Sequence, residues 1–227
     1  MQDPIILAVD TSTSDIHIGI CKGTSILLTE TFPAIQDHSR LLLTTIESCL
    51  KKTNLTVQQV DVFASTIGPG SFTGVRTGLG IIKGLAFSLK KPIISISTLH
   101  ALAFPCTEYN LVVPVLDARK DSLYASVYEK SGATWKEIQA PQMIEAHNIR
   151  SLAKQPAYLI GKAGRTYASL SPDFLGLTLM LGNSNFDTIH GKTLCEIAHQ
   201  KYLQQQFEDV SSLEPLYIQK TAAEGYV

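Results

Sequence analysis

Apolar positions along the N-terminal half of the chain switch between two periods, and each switch marks a new element. Ile5 to Val9 is an unbroken apolar run that stops at Asp10-Thr11-Ser12-Thr13-Ser14-Asp15, a polar, turn-forming stretch. Ile16, Ile18 and Ile20 then alternate with His17, Gly19 and Cys21, which is strand periodicity. Lys22-Gly23-Thr24 is a second turn, and Ser25 to Phe32 reads as a third strand. Short turns between successive strands predict an antiparallel meander. From Asp37 the period becomes helical: Leu42, Ile46, Cys49 and Leu50 share a face, with Leu43 beside them. Asp37 or Ser39 can cap this helix, and Lys51-Lys52 sit at the favourable end of its dipole. Val60 to Ile67 predicts a fourth strand and Val75 to Leu89 a second helix, stopped by Lys91-Pro92. Ile93 to Ile96 is a fifth strand, and Ser97-Thr98 opens a short helix reaching Ala103.

Pro105 to Asn110 breaks the pattern and divides the chain into an N-terminal lobe, residues 1–105, and a C-terminal lobe, residues 106–227. In the second lobe strands are expected at Leu111 to Leu116, Ser122 to Tyr128, Thr134 to Ile138 and Ala157 to Ile160. Helices are expected near Ala146 to Ala153 and from Thr188 to Gln205, and Glu214 to Ile218 could add an edge segment. A meander followed by strand–helix units predicts an α/β protein with a mixed sheet and helices on its faces.

Composition narrows the function. Charged residues make up only 17% of the 227 residues, and the net charge is −1, so no overall basic surplus marks a nucleic-acid surface. No apolar run is long enough to span a membrane, and no membrane partner is expected. Met1-Gln2-Asp3-Pro4 lacks the basic start of a signal peptide. Cys21, Cys49, Cys106 and Cys195 are scattered without a C-x-x-C, as reduced thiols of a cytoplasmic protein would be.

The densest chemistry lies in Gly68-Pro69-Gly70-Ser71-Phe72-Thr73-Gly74-Val75-Arg76, between the fourth strand and the second helix. Such a turn presents bare backbone N–H groups to an anion or to another chain. It is not a Walker motif, because the G-K-[ST] that brings a lysine to the phosphates is missing. Asp10 could orient a water or Mg²⁺, or it could simply cap an Asx turn. Asp117, with Arg119 near it, occupies a similar strand end in the second lobe. The candidate phosphate- or nucleotide-binding residues are therefore Asp10, Thr11, Ser12, Gly68, Gly70, Ser71 and Asp117. A nuclease would need converging carboxylates, and the fourth strand ends in Ile67-Gly68 instead. The six histidines include no His-x-x-x-His pair, and no Gly-x-Ser-x-Gly elbow is present.

The second helix has two apolar faces. Val75, Leu79, Ile82, Leu85, Ala86 and Leu89 form the arc that should cover the chain's own sheet. Gly80 and Gly84 lie opposite, near Thr77, Ile81 and Phe87. Interior glycine costs about 1 kcal/mol relative to alanine, so the series Gly74, Gly78, Gly80, Gly84 requires a packing reason. Either the first helix fills this face within the chain, or another subunit does, with Arg76 and Lys83 at the rim.

Asp10-Thr-Ser-Thr-Ser, His38-Ser39 before Leu42, Gly68-Pro-Gly-Ser-Phe-Thr-Gly-Val-Arg-Thr-Gly-Leu79, Ser97-Thr-Leu and Asp117-Ala-Arg-Lys-Asp121 together resemble the bacterial TsaB (YeaZ) family. The resemblance extends over about the first 125 residues. It is looser beyond Tyr128, and Gln219 stands where the family has an arginine. It implies a two-lobe actin/Hsp70-like (ribonuclease H-like) fold with a shortened second lobe. It also implies a part in making N6-threonylcarbamoyladenosine at tRNA position 37. In that role the chain would be a scaffold or activator with no catalytic residues, metal or cofactor of its own. It would pair with a catalytic TsaD-like paralogue, be joined by a TsaE-like ATPase, and reach tRNA through the complex. ATP, Mg and a metal would be needed by the complex, the metal in the catalytic partner. That partner holds its metal with two first-helix histidines, where this chain has His38 but Leu42.

The interface expected from this resemblance and from the helix faces comprises Leu41, Leu42, Thr45, Ile46 and Cys49 of the first helix. From the second it takes Arg76, Thr77, Gly80, Lys83, Gly84 and Phe87. A second copy of the chain could use the same surface. The competing expectation is a small-molecule kinase or phosphohydrolase of the same superfold, using Asp10.

Overall fold

The computed structural model describes residues 3–33, 38–132, 134–171 and 173–218, with side chains from residue 41 in the first helix. The Asp37 or Ser39 cap, the role of His38 and the departure at Gln219 lie outside the described side chains. The chain forms two compact units. One runs to Thr98 and includes Ile189–Pro215; the other holds Leu99–Thr188 and the described residues from Leu216.

In the first unit, β1 (Ile5–Asp10), β2 (Asp15–Lys22), β3 (Ser25–Pro33), β4 (Val62–Gly68) and β5 (Ile93–Ser97) form one sheet in the order β3-β2-β1-β4-β5. β1 pairs antiparallel with β2, placing Asp10 opposite His17, and parallel with β4, placing Val9 opposite Ser65. Both faces of this centre are covered, which is why β1 reads as a continuous apolar run. One face carries α1 (His38–Lys52) and α2 (Phe72–Leu89). Leu42, Ile46, Leu50, Leu79, Ile82 and Ala86 pack there on Leu7, Val9, Ile16, Ile18 and Ile20. The other face carries α5 (Gly191–Leu203), which approaches β2 so closely that a Cβ on Gly19 or on Gly191 would collide with the opposing backbone.

The second unit repeats this plan. β6 (Leu111–Asp117), β7 (Ser122–Ser131) and β8 (Thr134–Glu145) form a meander; β9 (Ala157–Ile160) and β10 (Leu179–Leu181) add in parallel on the other side of β6. The order β10-β9-β6-β7-β8 is that of the first sheet read from its far edge. Between β9 and β10 runs α4 (Lys162–Leu170), as α2 runs between β4 and β5. Val113, Val115, Leu123, Val127, Ile149 and Leu159 form the core of this unit.

Several expectations are corrected. The cut at 105/106 moves to the start of α3 (Thr98–Ala103), and the chain returns to the first unit at Ile189. The return is held by side chains: Lys201 Nζ donates to the Ser95 carbonyl at 2.7 Å, and Ser95 Oγ donates to Glu208 at 2.5 Å. β8 runs on to Glu145, and the helix near Ala146 is a 3-10 segment, Ala146–Leu152. α4 and β10 have no counterpart in the sequence reading. The edge segment expected at Glu214–Ile218 is not a strand; Glu208 instead bridges to Ile93.

Candidate functional site

The turn after β1 and the glycine loop after β4 are one structure. Asp10 is fully buried, and its Oδ1 accepts from Ser12 N at 3.0 Å, from Ser12 Oγ and from Thr66 Oγ1 at 2.7 Å. Its Oδ2 is buried without a hydrogen-bond partner among the described residues. Thr11 and Ser12 are buried as well. Thr11 Oγ1 donates to the Gly74 carbonyl at 2.7 Å, and Ser71 N donates to the Ser12 carbonyl at 2.7 Å. Ser71 caps α2 by accepting from Gly74 N at 3.2 Å. A Cβ on Gly70 would strike the Ser12 carbonyl, one on Gly74 the Thr11 carbonyl, and one on Gly78 the Thr11 hydroxyl. Gly70 also holds a φ of +154°. These three glycines therefore seat the start of α2 on the Asp10 turn.

Asp10, Thr11 and Ser12, expected as phosphate-binding residues, all lie in this buried turn. Apart from Asp10 Oδ2, their side-chain oxygens bond one another and the loop, inside the first unit. Gly68 is buried at the end of β4, and Ser71 is exposed but engaged as a cap. Asp117 lies exposed at the end of β6 in the second unit, opposite Leu123. Its unit closes the equivalent strand–helix turn differently: Gly161 N donates to Asp187 Oδ1 at 3.2 Å, and the Arg165 guanidinium bonds the other Asp187 oxygen and the Gly182 carbonyl. Among the described residues no group of His, Cys, Asp and Glu is arranged to hold a metal ion. No described helix is long and apolar enough to cross a membrane.

Gly80 and Gly84 differ from the glycines before them. Among the described residues a Cβ on either would meet nothing within 4 Å, so the described side chains of α1 do not fill this face. Both are exposed, and Phe87, one turn beyond Gly84, is 74% exposed. Thr77 is half-buried and Arg76 exposed on the same helix, the Arg76 guanidinium lying 3.9 Å from the Phe72 ring centroid. Phe72, itself exposed, is not among the expected interface residues; an aromatic one turn before an arginine on a helix is the pattern that reveals it. Lys83 is less free than a rim residue would be: its Nζ donates to the Leu213 carbonyl at 2.5 Å and ties the returning chain to α2.

On α1 three of the five expected contact residues do not reach the surface. Leu42, Ile46 and Cys49 are buried in the core cluster and cannot face a partner. Thr45 is half-buried, with its hydroxyl donating to the Leu41 carbonyl at 2.6 Å. The outward positions are Leu41, Leu43 (50% exposed), Thr44 and Glu47. Leu43, Glu47, Leu50, Leu55, Val57 and Leu85 line a groove of about 470 Å³.

His17 faces away from α1 and is buried, its Nδ1 lying 3.0 Å from Thr31 Oγ1. Burial lowers its pKa below the usual 6.5, with Asp10 and Asp15 opposing the shift.

Two five-stranded sheets with the same strand order place the chain among the two-unit α/β proteins of the actin/Hsp70-like, ribonuclease H-like class. A family model described as TsaD, tRNA N6-adenosine threonylcarbamoyltransferase, matches residues 32–225. The chain is 32% identical to the tRNA threonylcarbamoyladenosine biosynthesis protein TsaB of Haemophilus influenzae, over 96% of this chain and 94% of that protein. It is 25% identical to the TsaB of Bacillus subtilis, over 97% and 96%. YeaZ from Pseudomonas aeruginosa superposes with a TM-score of 0.79 at 24% identity, over 94% of this chain and 99% of that one. The chain belongs to the TsaB (YeaZ) family.

Proposed function

We propose that the chain is a non-catalytic subunit in the synthesis of N6-threonylcarbamoyladenosine at tRNA position 37, acting by docking onto a catalytic TsaD-type paralogue. The observation that carries this reading is the outer face of α2. Gly80 and Gly84 lie there side by side with open space above them and Phe87 exposed at their edge. Two glycines one turn apart lower the helix surface enough for a second helix to pack against backbone, and an exposed aromatic is a typical interface anchor. Outward Leu41 and Leu43 on α1 extend the same kind of apolar surface. The burial and internal bonding of Asp10 weigh against a kinase or phosphohydrolase built on that carboxylate. In the proposed arrangement ATP, Mg and the catalytic metal belong to the TsaD-type partner and a TsaE-type ATPase, and tRNA is met through the complex, in the cytoplasm.

Co-expression with the TsaD-type paralogue tests the proposal. Gly80→Arg and Gly84→Arg should abolish co-purification while leaving the melting temperature of the free chain near that of the wild type. Co-purification that survives both substitutions refutes docking through this face. Sizing of the free chain at increasing concentration separates the paralogue from a second copy as the occupant.

A further inference from the structure

Positive charge gathers on the helical face that the proposed docking uses. From Leu41 to Lys91 the chain has six Lys and Arg against two Asp and Glu. Elsewhere it has 13 basic and 18 acidic residues, so this stretch reverses the balance of the rest. The basic residues outside α2 are matched by carboxylates. Lys51 pairs with Glu47 at 2.6 Å, Lys52 with Glu30 of β3 at 2.6 Å, and Lys91 with Asp61 at 3.4 Å. α2 is different: it carries Arg76, Lys83 and, at its C-cap, Lys90, and no acid of its own. Arg76 and Lys90 are exposed, and Arg76 stacks on the Phe72 ring, a contact that holds the guanidinium in place without neutralising it. The Lys83 ammonium meets a neutral acceptor, the Leu213 carbonyl. It also acts on Asp209 of the returning chain, whose carboxylate accepts from Ser211 N and Oγ at 2.8 Å.

At about 100° per residue, Arg76, Lys83 and Lys90 fall on one flank of the Gly80–Gly84–Phe87 stripe. Ile81 and Leu85 fall on the other, towards α1. The face is thus apolar along its centre and basic along one rim. We infer that it selects a protein partner with carboxylates on the rim that meets Arg76, Lys83 and Lys90, and that it turns away a second copy of this chain. The inference rests on the docking proposed above and names the chemistry of its partner. A two-fold axis through the midpoint of Gly80 and Gly84 would bring the same flank of both copies together. Arg76 of each copy would then approach Lys90 of the other, and Lys83 would approach Lys83. Like charges set against each other oppose that pairing, whereas an acidic rim is attracted and steered into place. A nucleic acid would match the charge, but it would set Leu41, Leu43 and Phe87 against phosphates.

Association kinetics of the full chain with the TsaD-type paralogue, between about 25 and 500 mM NaCl, test the inference. The on-rate should fall about tenfold or more over that range while the off-rate stays nearly constant. Arg76→Glu combined with Lys90→Glu should lower the low-salt on-rate about tenfold and flatten its salt dependence, with the melting temperature unchanged. If that variant does not fold, the wild-type salt series still decides. Gly80→Arg separates the inference from the docking it rests on. If Gly80→Arg abolishes association but salt and charge reversal leave the on-rate unchanged, the docking stands and the charge selection falls. Association that survives Gly80→Arg removes the docking and this inference with it. A free chain that dimerises at about 25 mM NaCl, the dimer being lost in Gly80→Arg, overturns the exclusion of a second copy. Binding of tRNA by the free chain that the double charge reversal removes gives the rim to nucleic acid and overturns the inference.

Discussion

Replacing Gly80 and Gly84 with alanine should make the free chain more stable and its complex weaker. Both positions lie inside the 18-residue helix α2, and neither has a left-handed φ. A methyl group at either meets no atom of the described residues within 4 Å, so the folded state gains no clash with them. What remains is helix propensity, which favours alanine over glycine by about 0.8–1 kcal/mol per exposed interior site. The double substitution should therefore stabilise the chain by about 1.5–2 kcal/mol, or roughly 3–8 °C in melting temperature for a chain of this size. At a docked interface the same two methyls stand where a partner helix meets bare backbone. Overpacking of this kind costs about 1–3 kcal/mol, a roughly 5- to 150-fold weaker Kd. Urea unfolding of the monomer and calorimetric titration with the TsaD-type paralogue measure the two effects separately. Because the expected changes have opposite signs, misfolding cannot imitate them. A more stable variant with unchanged affinity would remove these glycines from the docking surface. A destabilised variant would mean that the face is already occupied within the chain.

Gly78→Ala should behave in the opposite way, lowering stability by about 1–3 kcal/mol in urea, because its methyl collides with the Thr11 hydroxyl that bonds Gly74; a neutral result would show that the α2 start is not seated on this turn. Asp10→Ala should cost about 2–4 kcal/mol by leaving the Ser12 and Thr66 donors without their acceptor, whereas Asp10→Asn retains an oxygen and should cost less. Calorimetry with Mg-ATP on the free chain should give no heat that Asp10→Asn removes; such a heat would restore the kinase reading. Burial holds the His17 pKa below 6.5, so on acidification the unfolded chain takes up a proton before the folded one does. Stability is thus fully present above about pH 6.5 and declines as the pH falls through the window below it. Urea midpoints between about pH 7.5 and 5 should show this slope, and His17→Gln should flatten it; a wild-type midpoint that rises on acidification contradicts the assignment.

The strands and helices of the first unit were legible because their burial is lopsided or complete. β1 is covered on both faces and reads as an unbroken apolar run; α1 and α2 each carry a strong inward stripe. α4 escaped notice because its buried residues, Ala163 and Gly164, are small and look like loop, and β10 is only three residues long. The return of α5 to the first unit rests on contacts between residues far apart in sequence, such as Gly19 with Gly191, which no local period encodes. On α1 the apolar stripe Leu42–Ile46–Cys49 is plain in the sequence, but periodicity alone does not say that the chain's own sheet, and not a partner, covers it.

The glycines of the loop and of α2 show where a sequence pattern stops and packing must decide. Gly70, Gly74, Gly78, Gly80 and Gly84 form one series in the sequence but serve two different surroundings. Only the placement of Thr11 and Ser12 divides it. Those two residues press on Gly70, Gly74 and Gly78 and account for them within the chain. Among the described residues nothing accounts for Gly80 and Gly84. A helix that keeps two propensity-breaking residues on an exposed face, with no contact to explain them, is less stable alone than it could be by about 1.5–2 kcal/mol. Under the proposed docking, close packing of a partner helix against the two glycines offsets that deficit.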